Sequence, residues 1–405
     1  MSSLRPLFIS TFPPEACGLA TFTQNLADSV DEAMRAPAGR IAAIRKTPDT
    51  RYKDRRVRFI IDNHVDGAYE RAGHRISESD VGVVSIQHEF GLYSGDWGDA
   101  VLDLVSACRK PIVTTFHTLA KNPEAKAKRI IRNLTHASDT VVVMSETGRA
   151  LLETTYGLPH CRAEVIPHGV PDVPFVHRAT LRRDWGVGGR PILMTFGLLG
   201  RSKNIEVVIE ALPTVLRAFP NALYVVAGTI HPNVHAQEGD AYLDELKALA
   251  DRLGVRHAVQ FVNRYLGKRE LVRLLQTCDV YVVPYGGREQ IVSGTVAYAM
   301  ACGRAIVSTP FLYTAEVLAE GRGILTDFDD PEGVATAVSA VLGHPALRED
   351  LEVKAYEYAR RMIWPAVGSR YAGVFRRVAR GVAPPAHEPH PADAGPSNQP
   401  IGRSS

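Results

Sequence analysis

Short apolar runs alternate with amphipathic segments along the whole chain. In the first half, residues 7–10, 57–61, 81–86, 112–115, 140–144 and 164–166 are rich in β-branched residues and almost continuously apolar. Strands covered on both faces have that pattern, and the stretches between them have helical spacing. The alternation predicts a parallel α/β sheet. It pauses in a stretch rich in Pro and Gly, residues 167–189, and restarts with strands expected at 192–196, 223–227, 259–262, 280–284, 305–308 and 323–325. A helix is expected over Ile205–Ala218, because Ile205, Val208, Ile209, Leu212 and Leu216 share one face. Two doubly wound domains of similar size follow, residues 1–175 and 176–361. Ligands of such sheets bind beyond the carboxyl ends of the strands, so the site is expected in the cleft between the domains. From residue 382 onward, Pro384, Pro385, Pro389, Pro391, Pro396 and Pro400 fall among small and polar residues. That tail, 382–405, cannot bury a core and is expected to be disordered. No repeat at solenoid periods is visible.

Composition narrows the picture. The 405 residues are 45% hydrophobic and 22% charged, as in folded domains, and a net charge of +3 does not suggest a dedicated nucleic-acid binder. The five cysteines, Cys17, Cys108, Cys161, Cys278 and Cys302, form no C-x-x-C pair. An odd count without pairs points to reduced thiols and a cytoplasmic setting, not to a disulfide framework or a zinc knuckle. The N-terminal apolar piece is too short for a signal peptide, and no run approaches the ~18 residues of a membrane span. A soluble protein is expected. Residues 40–58 hold eight basic residues against Asp49 and Asp54, and Lys126, Lys128, Arg129 and Arg132 add more. A solvated face is the simpler reading; weak contact with a membrane surface or an anionic acceptor is the sharper one.

Three loops carry candidate chemistry. The first, residues 11–18, follows a strand and opens a helix. Gly18 would let the backbone approach a ligand, and the helix start offers free N–H groups and a positive dipole end. It is neither G-x-G-x-x-G nor a Walker loop, so NAD or ATP use is not indicated; a tight turn alone would look the same. In the second loop, 196–204, Arg201 and Lys203 sit beside glycines including Gly197. Two cations there suit a diphosphate, although surface cations in a solvated loop are common. The third, 284–295, leads into a helix that Ser293 or Thr295 would cap and Gly303 would stop. His117 follows a strand, as structural histidines often do. His88 and Glu89 also follow a strand end and are acceptor-side candidates. A metal at that pair lacks a third ligand at useful spacing. The pair Asp327 and Asp329 looks like a metal-binding D-x-D but sits after a late strand and is read as a solvated loop.

These segments in this order resemble glycosyltransferase family 4, the retaining enzymes of the GT-B fold. The cues are the Pro-Pro-x-x-x-Gly18 loop, Thr115-Phe-His117-Thr, Val141-Val-Val-Met-Ser145-Glu, Val165-Ile-Pro-His-Gly169-Val, the Gly197 to Lys203 loop and Ala299-Met-Ala-Cys-Gly303-Arg. The resemblance runs to about Arg380, and residues 362–381 resemble the family's last helix, which crosses back to the first domain. It implies two Rossmann-like domains facing across a cleft, an acceptor side first and a nucleotide-sugar side second. Gly18 would lie against the donor diphosphate or the acceptor, and His117 would point at the donor sugar. Arg201 and Lys203 would neutralise the leaving nucleoside diphosphate, and amides near Ser293, Gly294 and Thr295 would hold phosphates and sugar. A donor-phosphate oxygen would take the acceptor's proton on the same face, giving retention. Positioning and charge stabilisation then do the chemistry, with no metal or other cofactor expected.

The chain departs from the family in two places. The third segment's paired glutamates are replaced by Gln290 and Tyr298, and the Gly-Arg after the second domain's first strand is Gly197-Leu198, with Arg201 three residues later. The expected function is transfer of a hexose from a nucleotide diphosphate sugar to an unidentified acceptor. Alternatives are another GT-B reaction, such as a sugar-nucleotide epimerase or a phosphorylase, or a non-catalytic nucleotide-sugar-binding protein. The base, the sugar, the acceptor, the linkage and the oligomeric state are not written in the sequence.

Overall fold

The computed structural model describes residues 4–382, except 16, 160, 177, 183–187, 231–234 and 236–237. The tail expected to be disordered therefore lies, apart from Val382, outside the described residues. The first half is a parallel sheet of β1 (Pro6–Ser10), β2 (Arg40–Arg45), β3 (Val57–Asp62), β4 (Val83–His88), β5 (Ile112–Phe116), β6 (Thr140–Val143) and β7 (Ala163–Val165), ordered β3-β2-β1-β4-β5-β6-β7. The second half has β8 (Ile192–Phe196), β9 (Leu223–Ala227), β10 (Val259–Val262), β11 (Val280–Val283), β12 (Ala305–Ser308) and β13 (Ile324–Leu325), ordered β10-β9-β8-β11-β12-β13. Every pairing is parallel. Helices cover both faces, which is why the central strands β1, β4, β5, β8, β9 and β11 are buried throughout.

In each sheet the strand order reverses once, between β1 and β4 in the first and between β8 and β11 in the second. At such a switch the loops after the two central strands diverge and leave a crevice. The three loops singled out in the sequence follow β1, β8 and β11.

The sequence pattern places twelve of the strands within two residues of their ends and the helix Ile205–Ala218 at its observed bounds. It misses β2. The basic residues of 40–58 suggest a solvated stretch, but Ile41, Ala42, Ala43 and Ile44 are fully buried beside β1. Only the ends of this strand are basic, and Arg45 pairs with Asp62 on β3 at 2.6 Å. Part of the remaining charge is also neutralised locally, since Arg56 pairs with Asp28 and Asp54 at 2.6 and 2.8 Å.

The last helix, Trp364–Ala379, leaves the second half beside Val170. Val170 N donates to Met362 O, and Trp364 N donates to Val170 O, each at 2.9 Å. The helix then lies on Gly18–Met34. At the crossing Gly368 lets the backbones meet, because a methyl there would come within 2.4 Å of Ser29 O. Val367, Tyr371, Val374 and Phe375 complete a core layer of the first half with Phe8, Phe22 and Leu26. No helix among the described residues is long and apolar enough to cross a membrane.

Candidate active site

The first half contributes groups at the ends of β1, β4 and β5. Gly18 is exposed at the start of a 17-residue helix, and a methyl placed on it would meet nothing within 4 Å. One turn on, Phe22 makes edge contacts with His117, His168 and Trp364 at ring separations of 4.9, 5.2 and 5.3 Å. His117 Nε2 lies 2.9 Å from Gln87 Oε1, and Gln87 Nε2 donates to Ser85 Oγ at 3.1 Å. That chain fixes the Gln87 oxygen toward the ring, so Nε2 carries the hydrogen and Nδ1 the lone pair. Burial, with a lesser effect from His168 and His88, pushes the His117 pKa down to about 3. His117 is therefore neutral at physiological pH.

Glu89 stands beside this group. It accepts from Thr118 Oγ1 at 2.7 Å and from the Phe90 amide at 3.0 Å, while burial raises its pKa. His88 is placed differently from the acceptor-side position expected for it. It is 0% exposed and enclosed by Phe90, Tyr93 and Phe116, with no hydrogen-bond partner on either ring nitrogen. Its side chain points into the core because β4 alternates sides and Gln87, not His88, faces His117.

The second half brings the ends of β8 and β11 together. Ser293 caps the helix Gly294–Ala301. Its hydroxyl is 3.1 Å from Thr295 Oγ1, which is 2.9 Å from Tyr285 OH. Lys203 Nζ sits 3.7 Å from the centre of the Tyr285 ring. A methyl on Gly197 would lie 3.3 Å from Thr295 Cγ2 and 3.9 Å from Lys203 Cε. Gly197 has φ 138°, open to glycine at little cost. Gly197, Lys203, Tyr285 and Thr295 thus form one cluster at the start of a helix.

The two halves meet at His168. A methyl on Gly294 would come within 3.1 Å of its Nε2, while its Nδ1 faces Gly169 O at 2.8 Å. Burial lowers its pKa to about 4. The sequence held His168 in plain view, in the Val165-to-Val170 cue, but gave it no role. Tyr285 and Gln87 were also missed, and neither carries a local signal that distinguishes it from a core residue.

Three expected site residues are engaged elsewhere. Arg201 pairs with Glu238 and Glu245 at 2.7 and 2.8 Å and lies over the Tyr242 ring. Gln290 Nε2 donates to Val292 O at 2.7 Å, within its own loop. Tyr298 packs near Phe196, and burial pushes its pKa up to about 12. Asp327 and Asp329 are exposed, and Asp329 accepts from Asn204 at 2.7 Å. Among the described residues no group of three or more His, Cys, Asp or Glu is arranged to hold a metal ion.

Both halves of the chain are similar to known proteins. Residues 67–172 match the model described as Glycosyltransferase Family 4, and residues 177–360 match Glycosyl transferases group 1. Over 267 residues the chain is 27% identical to a GDP-mannose-dependent alpha-(1-6)-phosphatidylinositol monomannoside mannosyltransferase of Mycolicibacterium smegmatis, covering 63% of this chain and 67% of that protein. It is 28% identical over 300 residues to a D-inositol 3-phosphate glycosyltransferase of Corynebacterium urealyticum, covering 69% of each. Among solved structures, HepE of Anabaena in complex with UDP superposes with a TM-score of 0.72 at 15% identity, over 92% of this chain and 100% of that one. The sucrose-phosphate synthase of Thermosynechococcus elongatus gives 0.72 at 17% identity, over 92% and 99%. The fold is that of the GT-B glycosyltransferases.

Proposed function

Since the chain belongs to glycosyltransferase family 4 and is a glycosyltransferase that takes its sugar from a nucleotide-sugar donor, we propose that it is a retaining hexosyltransferase whose site is the cleft between its halves. The observation that carries this reading is that Phe22, one turn after Gly18, touches His117 and His168, that His168 faces Gly294, and that Thr295 beside Gly294 packs near Gly197 and Lys203. In this reading residues 1–175 take the acceptor and residues 176–361 the donor.

The leaving group is a nucleoside diphosphate, and charge accumulates on it as the glycosidic bond breaks. Lys203, held at the start of Gly294–Ala301, supplies a fixed positive charge there. The amides of Gly294 and Thr295 add the positive end of the helix dipole. His117 stays neutral, so it does not repel the positive charge that develops at the sugar. Its Nδ1 lone pair is available to a sugar hydroxyl. Glu89 and Thr118 offer oxygen atoms to the acceptor. Arg201 reaches the diphosphate only by leaving Glu238 and Glu245, so we assign the main phosphate charge to Lys203. No metal ion takes part in this scheme. Both named relatives act on inositol-based acceptors, which makes phosphorylated polyols the first class to screen. The base and sugar of the donor are to be found by thermal-shift screening against nucleoside diphosphate sugars, because a ligand bound only by the folded state raises the melting temperature.

The stereochemical reading is tested on the product. An α-linked donor should give an α-linked product by NMR of the anomeric proton; a β-linked product would overturn retention. Gln290 has its own test. One of its amide hydrogens is used within the loop, and the amide oxygen is the acceptor offered to the sugar. Removing that acceptor leaves a hydroxyl unpaired, at a cost of about 1–3 kcal/mol. Gln290→Ala should therefore impair transfer more than it weakens binding of the bare nucleoside diphosphate, and Gln290→Glu should keep part of the activity. Equal losses in both measurements would remove Gln290 from the sugar site.

A further inference from the structure

The segment that presents the donor-side amides is held by the opposite half of the molecule. Ile291, two residues before the cap Ser293, is 2% exposed and sits in the first half's hydrophobic cluster, whose members include Phe116, Leu152 and Tyr156. A methyl on Gly148 would lie 3.6 Å from its Cδ1. The Ile291 carbonyl accepts from Ser145 Oγ at 3.1 Å. Two carboxylates flank this anchor. Glu289 accepts from Lys121 N at 3.0 Å, Asn122 N at 3.3 Å and Asn122 Nδ2 at 2.6 Å. Glu316 accepts from Glu146 N at 2.9 Å, Thr147 N at 2.8 Å and Thr147 Oγ1 at 2.7 Å.

These contacts are favourable on chemical grounds. The amides of Glu146 and Thr147 open the helix Glu146–Thr154 and have no partner within it. A carboxylate there satisfies both donors and complements the dipole. The amides of Lys121 and Asn122 belong to the loop that leaves His117. Donors in that loop and the peptide that leads to Gly294 are therefore tied through one side chain.

We propose that Glu289 and Glu316 are positioning residues reaching from the second half into the first: Glu289 clasps the peptide between Gly286 and Ser293 against the loop after His117, Glu316 ties the helix Leu312–Val317, whose Leu312 and Tyr313 amides donate to Arg288 O and Gln290 O of that peptide, to the start of Glu146–Thr154, and together they set the register between the donor-side amides and the acceptor side. This rests on the transferase reading above. A reaction that depends on placing two bound groups loses rate when their register slackens. Binding of the nucleoside diphosphate, assigned to groups of the second half alone, does not depend on the clasp.

The test uses Glu289→Ala, Glu316→Ala and the conservative Glu289→Gln in the full chain. Hydrogen exchange followed by mass spectrometry reads the clasp without reference to activity. Exchange should accelerate in peptides covering Lys121 and Asn122 for Glu289→Ala, and in those covering Glu146 and Thr147 for Glu316→Ala. Each alanine variant should also lose kcat for transfer on the order of tenfold, the scale of a hydrogen bond to a charged group. Its Kd for UDP or GDP, whichever the wild type binds, should stay within about twofold, a shift too small to count against that loss. Glu289→Gln keeps an accepting oxygen without the charge and should fall between wild type and Glu289→Ala in both readouts. Unchanged exchange at these amides, faster exchange with undiminished kcat, or an equal loss of diphosphate affinity would each overturn the proposal. A wild type that binds a nucleotide sugar yet transfers nothing would instead sink the transferase reading, while the exchange data would still decide whether the clasp exists.

Discussion

Lys203→Ala is expected to fold normally and to turn over its donor ~10²–10³-fold more slowly, the usual loss when one positioned group is removed from a developing charge. Lys203 reaches its place through the tight turn after β8. Its ammonium lies 3.7 Å from the Tyr285 ring centre, and no carboxylate among the described residues is paired with it. A cation held by an aromatic face keeps its charge available to a ligand, whereas a salt-bridged one does not. Arg201, two residues earlier, carries the same charge but spends it on Glu238 and Glu245. Arg201→Ala should therefore cost clearly less than Lys203→Ala in kcat, although the two residues read alike in the sequence. Steady-state kinetics on both variants, with melting temperatures to confirm folding, decide the matter. Equal losses would mean that Arg201 swings from its carboxylates to the phosphates in the working enzyme. An undiminished Lys203→Ala rate would remove Lys203 from the mechanism.

The contrast between these two cations shows where the sequence is readable. Strands buried on both faces announce themselves as apolar runs, and loops that end in Gly before an amphipathic helix mark strand ends. The places of Gly18, Gly197 and Ser293 at strand ends and helix starts were legible for that reason, and so was the fold. β2 was not, because its buried stretch is only Ile41-Ala-Ala-Ile44, set between Arg40 and Arg45. Two alanines give little strand signal, and the flanking charge hides the rest. His88 ends β4 and His117 follows β5, yet one faces Phe116 in the core and the other faces Gln87 and Phe22. Which side of a strand end points outward depends on the register of the neighbouring strands, which local pattern does not specify. Contacts between the halves were the least legible. Ser145 meets Ile291 and Glu316 meets Thr147 across separations of 146 and 169 residues, and nothing local to either partner marks the other.

The second large effect is on stability in mild acid. His88 and His117 are 0% and 7% exposed, and burial holds the pKa of each down to about 3, against 6.5 for the free side chain. Neither has a carboxylate partner; His88 faces Phe90, Tyr93 and Phe116, and His117 faces Gln87 and Phe22. Below pH 6.5 the unfolded chain binds a proton at each position and the folded chain does not. The unfolded state is thereby favoured, and stability falls as pH drops until the folded pKa is reached. Between pH 7 and pH 5 the two histidines together should cost about 4 kcal/mol. His168, with its pKa near 4, adds in the same direction. Glu89 works against them, since its raised pKa means that acid relieves the cost of burying its charge. All three histidines lie in the first half, so that half should give way first. Urea unfolding at pH 7 and pH 5 in a Trp185→Phe background, so that the fluorescence comes from Trp97 and Trp364, both packed in the first half, measures the loss. His88→Leu separates the cause. It removes two buried nitrogens that have no partner, so stability at pH 7 should be kept, and the dependence on pH should become shallower by about one proton. Identical urea midpoints at the two pH values for the wild type, or an unchanged slope in His88→Leu, would show that these rings reach water in the folded protein.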